Sequence, residues 1–534
     1  MAICYSSPMS DSAITPHILE SLRNLAAYPV ATGTVELLQT HISWLFLTDS
    51  HVFKLKKPVS FGFLDFSTLE LRRFYCHEEL RLNRRLCPDM YEQVIPLRAS
   101  DGGASFVGEG AVIDYAVMMK RLPADGMLDR LVDSGRISVA EIQAVALKIS
   151  QFHAAALTSP YIAEFGTPDR IRANWQENFE QVLPFSSSTL PTTVRAAIRR
   201  YVETFIASHH TFFNERITQG FIRECDGDIH LGNICLVDST PYIFDCIEFN
   251  ERFRNCDTAS DIAFLLMDLD FHHRPDLADA ALSAYIEASG DAGLARLVTF
   301  YRVYRAFVRG KVESLRLLDT GVDPEERADA GRRASRYFRL AQGYCVRSGL
   351  SPTLFITSGT MGCGKSTLAG QLAEELGLST HNSDVVRKQL AGPPPENANR
   401  ASFGEGLYSE EMNRATYRRL EQLAAMALDA GQSVVIDACF ISAAVRAAFA
   451  RLAASRSAAF VILSVQCDYD EQLRRLRERT VRGTSVSDGR AELLDQQRRE
   501  FEIPQDSEGV VIPLSAEEAS DRAINSVYGR LCLP

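Results

Sequence analysis

Apolar runs rich in β-branched and aromatic residues mark Ser43–Leu47, Val52–Leu55 and Val112–Met119 as strands. One helix interrupts them, from about Thr68 to Leu86, and residues 17–27 read as a short amphipathic helix. From about 126 to 215 the pattern is mostly helical. Residues 219–249 return to short strands and loops, and helices resume from Thr258 to about Arg347. The string Gly349-Leu350-Ser351-Pro352 then breaks the pattern. Beyond it strands and helices alternate, over 353–357, 366–376, 410–430, 433–437, 443–454, 459–465 and 469–479. Alternation of that kind predicts βαβ units and a parallel sheet. A chain of 534 residues is too long for one ordinary core. The expected organisation is a larger α+β domain over 30–348 and a smaller α/β domain over 352–534.

Composition narrows the class. Apolar residues make up 46% and charged residues 23%, the balance of a globular protein in water. The formal net charge of −11 argues against a general binder of nucleic acid or of membrane surfaces. No run of about 18 apolar residues occurs, so no transmembrane helix is expected. The start, MAICYSSPMSDSAITPH, lacks a charged region followed by an apolar one, so no signal peptide is expected either. Twelve cysteines are scattered, without C-x-x-C or zinc-ligand spacing, and read as free thiols of a reducing cytoplasm.

Residues 359–366 read Gly-Thr-Met-Gly-Cys-Gly-Lys-Ser, the Walker A pattern G-x-x-x-x-G-K-[ST]. The apolar run Leu354-Phe355-Ile356 precedes it and a helix-compatible stretch follows, which is the setting the motif needs. Backbone N–H groups of Gly359, Thr360, Met361, Gly362, Cys363 and Gly364 would curl around phosphate oxygens, and the helix N-terminus through Thr367 would add partial positive charge. Lys365 would reach the β/γ-phosphates of ATP, and Ser366 would ligate Mg²⁺.

A second phosphate site is expected in the first region. The string Cys225-Asp226-Gly227-Asp228-Ile229-His230-Leu231-Gly232-Asn233 is followed by Tyr242-Ile243-Phe244-Asp245. Asp228 and Asn233 have the Asp-to-Asn spacing of a protein-kinase catalytic loop, and Asp245 closes an apolar strand where such enzymes hold metal. Phosphoryl transfer needs a carboxylate beside the attacking hydroxyl and oxygen ligands for Mg²⁺. Asp228 would be the base, with Asn233 and Asp245 as metal ligands. On the strand Val52–Leu55 and its basic continuation, Lys54 and Lys56 alternate onto one face, and either could meet ATP phosphates. Glu78 and Glu79 on the following helix are candidates for the ion pair that orients that lysine, and Lys54 with Glu79 is the choice for the nucleotide site. The string Val117–Leu122, meeting Pro123 and Gly126, would form a hinge that holds adenine. The order of these pieces is that of a kinase-like fold.

Residues 30–345 resemble the aminoglycoside phosphotransferase-like branch of that fold. The strings LKKPVSFGFLDFSTLELRR, ELRLNRRL, GDIHLGNI, FDCIEFN and DIAFLLMDL are similar to a bacterial group in which this domain is fused to a P-loop kinase-like domain. Such chains are described as bifunctional aminoglycoside phosphotransferase/ATP-binding proteins. The resemblance implies an ATP-dependent phosphotransferase fold and does not imply an aminoglycoside substrate. One position departs from it. Where the branch has His two residues before the catalytic Asp, this chain has Asp226, a third carboxylate that should raise a carboxylate pKa or strengthen cation binding. His230 is expected to be structural and His153 a core histidine. Asp257 and Asp261 are expected to cap a helix and brace a loop.

In the second region, His381-Asn382-Ser383-Asp384-Val385-Val386-Arg387 is similar to an element of gluconate-kinase-like and polynucleotide-kinase-like proteins. The resemblance implies Asp384 as general base and Arg387 as a phosphate or substrate clamp. Ser383 or Asp384 would in any case cap a helix. Asp437, closing Ser433-Val434-Val435-Ile436, is the Walker B candidate for Mg²⁺. Among Arg474, Arg475, Arg477, Arg479 and Arg482, the resemblance implies a lid, with Arg477 and Arg482 as nucleotide-binding choices. The competing reading is a solvated basic helix paired with Glu471 and Glu478. The expected function is ATP-dependent phosphotransfer to hydroxyls of small molecules by two domains. The alternatives are a nucleotide-binding regulator with a degenerate kinase-like domain, or a polynucleotide 5′-hydroxyl kinase in the second half.

Overall fold

A computed structural model of the chain describes residues 14–319, 323–391, 409–482, 494–517 and 520–531. They fall into two compact units, one within 1–187 and 199–315, the other within 188–198 and 316–534.

The first unit opens on a six-stranded antiparallel sheet. Its order is Glu36–Gln39, Ser43–Leu47, His51–Lys56, Val112–Lys120, Tyr91–Ser100 and Gly103–Ser105. The lysine strand is central, with Lys54 opposite Leu45 on one side and Val117 on the other. The long strand Tyr91–Ser100 was not expected from the sequence, because Pro96 interrupts its pattern. Its outer neighbour pairs only with Arg98–Ser100, so Pro96 lies along an edge, where a missing N–H is tolerated. The expected helix over 17–27 is shorter, Pro16–Ser21 followed by one 3₁₀ turn at Leu25–Ala27.

Helix Leu69–Asn83 starts where the Thr68 hydroxyl accepts the N–H of Leu71 at 3.2 Å. Its inward face is Arg72, Cys76, Glu79 and Asn83, at spacings of three and four. Three of these four are polar, and each has a long-range partner. Arg72 meets Asp114 at 3.0 Å, Glu79 meets the lysine strand, and Asn83 Oδ1 accepts the N–H of Cys246 at 2.9 Å. The rest of the unit is helical, with two short ribbons, Ile222–Glu224 with Asn255–Asp257 and Ile234–Val237 with Thr240–Ile243. The fully buried helix Thr258–Phe271 runs beneath them.

The second unit carries the expected parallel sheet, in the order Ser379–Asn382, Val434–Asp437, Thr353–Ser358, Ala459–Gln466 and Val510–Ser515. The Walker strand Thr353–Ser358 sits in the middle, and all six of its residues are buried. Its side chains divide between two cores. Phe355 packs with Leu368, Leu372 and Ile512, whereas Leu354 and Ile356 pack with Leu420, Phe440 and Phe449. Helices on both faces are what a continuous apolar strand requires. Helix Pro324–Gly349 belongs to this unit, where Arg336 pairs with Glu374 at 2.7 Å and Arg347 donates to the Gly377 carbonyl at 2.8 Å. No helix among the described residues is long and apolar enough to cross a membrane.

Candidate functional sites

In the second unit the Walker loop turns on glycines held at positive φ: Gly359 at 155°, Gly362 at 78° and Gly364 at 91°. A Cβ on Gly359 would sit 2.5 Å from the Val465 carbonyl and 2.8 Å from Cys363 Sγ, so only glycine fits. Helix Lys365–Leu376 leaves the loop, and Ser366 and Thr367 in its first turn are exposed. Lys365 is buried and donates to the Thr360 carbonyl at 2.8 Å, folded back over its own loop.

Asp437 ends the neighbouring strand at 2% exposure. Its carboxylate accepts from Asn382 Nδ2 at 2.7 Å and from the Thr357 hydroxyl at 3.1 Å. Asn382 also caps helix Ser383–Ala391, its Oδ1 accepting the N–H groups of Asp384 at 2.9 Å and Val385 at 3.2 Å. The cap is therefore Asn382, not Ser383 or Asp384. That leaves the Asp384 side chain to pair with buried Arg387, which also reaches Asn413 at 3.3 Å. Asn382 carried no motif signal. Its amide ties the Asp437 carboxylate to the backbone N–H of Asp384.

The arginine-rich helix Tyr469–Arg482 turns toward the Walker loop with Gln472 and Leu476. Gln472 Nε2 donates to the Thr360 hydroxyl at 2.7 Å, and its carbonyl accepts from Arg498 at 3.0 Å. Gln497, next in sequence to Arg498, accepts the Met361 N–H at 2.6 Å. Arg474 is held by Glu471 and Glu478, and Arg475 by Glu471 and the Ala516 carbonyl. The Glu471 and Glu478 pairings of Arg474 are those named for a solvated basic helix, and the loop that would complete a lid lies outside the described residues. Arg477 is exposed, and the side chain of Arg482 lies outside the described residues.

In the first unit one carboxylate organises the site. Glu79, fully buried, forms an ion pair with Lys54 at 2.9 Å on one oxygen and accepts a hydrogen bond from Lys56 at 2.7 Å on the other. Lys54 continues to Asp245 at 2.6 Å, and Lys56 to Glu248. Burial pushes the Glu79 carboxyl up, but Lys54 and Lys56 outweigh it and hold the group down to about 2. The choice between glutamates is thus settled by the face they occupy. Glu78 pairs with Arg81 near the surface.

Asp228 and Asn233 meet across their loop. Asn233 Nδ2 donates to Asp228 Oδ2 and to the Asp228 carbonyl, each at 3.1 Å, which leaves the Asn233 carbonyl oxygen as the group suited to a cation. The Asp228 side chain is 32% exposed and that of Asp245 46%, so both can meet a ligand. Asp245 adopts φ 67°, and its N–H is held by the Tyr91 hydroxyl at 3.3 Å. The Asp228 carboxyl is raised, by burial first, with His230 and Arg309 opposing. The donor sets, carboxylate with amide oxygen here and carboxylate with hydroxyl at Asp437 and Ser366, fit a hard cation such as Mg²⁺.

Asp261 braces the loop from below, as expected. Its two oxygens accept the N–H groups of Asp226 at 3.0 Å and Gly227 at 2.8 Å. His153 is a core residue, bonded to Asp261 at 3.1 Å and to the Tyr285 hydroxyl at 2.7 Å. Atoms of His153, Cys225 and Asp261 lie within 4.8 Å of one another, but these bonds already occupy the His and Asp groups. Asp257 caps helix Thr258–Phe271 and binds Arg216, which also holds Asp291. Asp226 stands apart. It is 1% exposed, one oxygen accepts the Asp228 N–H at 3.1 Å, and the other has no hydrogen-bond partner. Burial, and then the Asp261 carboxylate, push its carboxyl well above the usual range.

A family model described as an AAA domain matches residues 354–504. With the Walker loop on the central strand of a parallel sheet, the second unit is a P-loop domain. Three mycobacterial proteins are 31% identical over 468 residues, covering 88% of this chain and 90% of theirs. They are the uncharacterized proteins Rv2004c and MT2060 of Mycobacterium tuberculosis and Mb2027c of Mycobacterium bovis. Among solved structures, a gluconokinase from Sinorhizobium meliloti is 18% identical, covering 34% of this chain and 93% of its own, with a TM-score of 0.25. Kti12 of Chaetomium thermophilum, in complex with ADP-AlF3, is 16% identical over 34% of this chain and 100% of its own, with a TM-score of 0.27.

Proposed function

We propose that this chain, which belongs to the family of the mycobacterial protein Rv2004c and its two counterparts, is an ATP-dependent phosphotransferase with a nucleotide site in each unit and hydroxyl groups of small molecules as acceptors. The observation that carries the reading is Glu79 fixing Lys54, with Lys54 in turn on Asp245. Phosphoryl transfer needs a lysine fixed at the phosphates and a carboxylate holding metal beside it. The first unit is read as an aminoglycoside phosphotransferase-like kinase domain. Asp228 takes the proton of the acceptor hydroxyl, the freed oxygen bonds to the γ-phosphorus, and the bond to the bridging oxygen breaks, its electron pair leaving on ADP. Asn233 and Asp245 would hold Mg²⁺, which neutralises charge at the β- and γ-phosphates.

In the second unit Lys365 and the Walker N–H groups bind the phosphates, and Ser366 and Asp437 would hold Mg²⁺. Asp384 is the base and Arg387 its clamp. Asn382, held on the Asp437 carboxylate and on the backbone N–H of Asp384, keeps the two residues side by side, which supports that division of roles.

The test is transfer of labelled γ-phosphate by the full chain to a panel of sugars, hydroxy acids, aminoglycosides and nucleosides. Lys365→Ala and Asp228→Asn should each remove transfer to a different acceptor set, and the double variant should fall to background. Transfer by the double variant at the wild-type rate would sink the reading, as would ATP binding with no transfer to any acceptor. One observation favours a second reading, in which the first unit binds nucleotide without turning it over. The unpaired, buried Asp226 carboxyl sits directly beneath the catalytic loop.

A further inference from the structure

Strand His51–Lys56 sends two ammonium groups to one face, and their partners differ in kind. Lys56 is enclosed, with 1% of its side chain exposed. Its Nζ donates to Glu79 Oε2 at 2.7 Å and to Glu248 Oε1, and it lies 4.8 Å from the centroid of the Phe66 ring. Glu248 is fixed in turn, because Arg254 Nη1 donates to its carbonyl at 3.2 Å. Two residues earlier, the Cys246 N–H donates to Asn83 Oδ1 at 2.9 Å. The segment after Asp245 is therefore tied twice to helix Leu69–Asn83, once through Asn83 and once through Lys56 and Glu79.

Lys54 is held differently. Its side chain is 12% exposed, and its hydrogen bond, at 2.6 Å, goes to the half-exposed Asp245 carboxylate. It stands 2.9 Å from Glu79 Oε1, but that buried oxygen accepts no hydrogen bond. The contact is one of charge alone. Glu79 is hydrogen-bonded by Lys56 and only faced by Lys54.

We propose that the two lysines divide the work: Lys56, locked between Glu79 and Glu248, is a positioning residue that holds the helix glutamate in place, and Lys54 is left to move from Asp245 to the nucleotide phosphates. The inference rests on the phosphotransferase reading of this unit. A carboxylate oxygen that takes a divalent cation gives up an ammonium held on it, because the two positive charges repel. Lys54 then turns to other anions, and Glu79 Oε1 stays within reach of it. Were Lys54 alone on Glu79, each such move would strand a fully buried carboxylate. Lys56 prevents that, since it remains on Oε2 whichever way Lys54 turns.

The experiment uses the full chain carrying Lys365→Ala as parent, so that binding of a fluorescent ATP analogue with MgCl2 reports the first unit. Hydrogen exchange in helix Leu69–Asn83 reports how firmly Glu79 is held. Lys54→Ala should remove binding and leave helix protection as it is in the parent. The double variant Lys56→Met/Glu248→Met removes one charge of each sign, keeps the net charge of the cluster and should fold. It should speed exchange in the helix ~10-fold and weaken the analogue ~10–100-fold, the range of one charge-assisted hydrogen bond. Lys56→Arg, which can still bridge both carboxylates, should recover part of both losses.

Should the double variant not fold, the parent itself decides. An adenosine carrying a sulfonyl fluoride arm in place of its phosphates bonds to the amine that meets that arm, with loss of fluoride. Mass spectrometry should place the label on Lys54. A label on Lys56 overturns the inference and spares the phosphotransferase reading. So does Lys54→Ala loosening the helix as far as the double variant does, or a folded double variant that binds the analogue with parental affinity. Absence of any binding that depends on Lys54 overturns both.

Discussion

Asp226 is where this chain departs most from the family it resembles, and the departure has a measurable cost. A carboxyl with one unpartnered oxygen at 1% exposure is tolerated in the fold chiefly as the protonated acid. Its folded pKa is raised above the unfolded value, so its contribution is fully favourable below the unfolded pKa and is lost as pH rises toward the folded one. Asp226→Asn mimics the protonated form and does not titrate. Its melting temperature should match wild type near about pH 4 and exceed it by a few degrees near about pH 8. A gap that stays constant with pH would contradict this. Arg216 makes the opposite case. It is buried between Asp257 and Asp291, each within hydrogen-bonding distance. Arg216→Ala would strand two buried carboxylates and should cost about 3–5 kcal/mol, read from urea unfolding of the full chain. At this scale residue type was legible in the sequence and partner was not. The sequence offered Glu78 and Glu79 side by side, with Glu79 the choice for the site, and the packing of helix Leu69–Asn83 on the sheet is what makes Glu79 the bridge.

Elements were most legible where one local segment holds its own geometry. The Walker loop needs a strand, a glycine turn and a helix in succession, and each is written in consecutive residues. Gly359→Ala tests how tightly that turn is built. Its methyl group would meet the Val465 carbonyl at 2.5 Å and force a strained φ. ATP affinity at the second unit should fall at least ~10-fold by equilibrium titration, since a clash of this kind costs about 1–3 kcal/mol. An unchanged affinity would show that the strand beneath gives way. Elements were least legible at edges. Strand Tyr91–Ser100 hides behind Pro96, and Val510–Ser515 follows a polar stretch that shows no clear period. Helix Tyr469–Arg482 was read by its arginines, yet it meets the Walker loop through Gln472, with Gln497 reaching that loop from a separate helix. Neutral amides leave no charge pattern for a sequence reader to find.

At the scale of the whole molecule, the proposed function gives one chain two phosphate sites of different construction. One would bind phosphate through backbone N–H groups curled by glycines, the other through a lysine held by a distant glutamate. Titration of the full chain with a fluorescent ATP analogue should therefore give about two sites per chain, and about one after either Lys365→Ala or Lys54→Ala. A single site in the wild type would remove the first unit from the nucleotide-binding account.

The sequence by itself determined what depends on neighbours in the chain. That covers the Walker turn, the alternation that makes a parallel sheet, the Asp228–Asn233 spacing within one loop, and the strand that puts Lys54 and Lys56 on one face. Tertiary structure decided what joins residues far apart: Glu79 to both lysines, Lys54 rather than Lys56 to Asp245, and Asn382 to Asp437. The physical reason is that periodicity fixes which face a side chain occupies. Which other face packs against it is set by the closure of loops many residues long, and no local pattern records that choice.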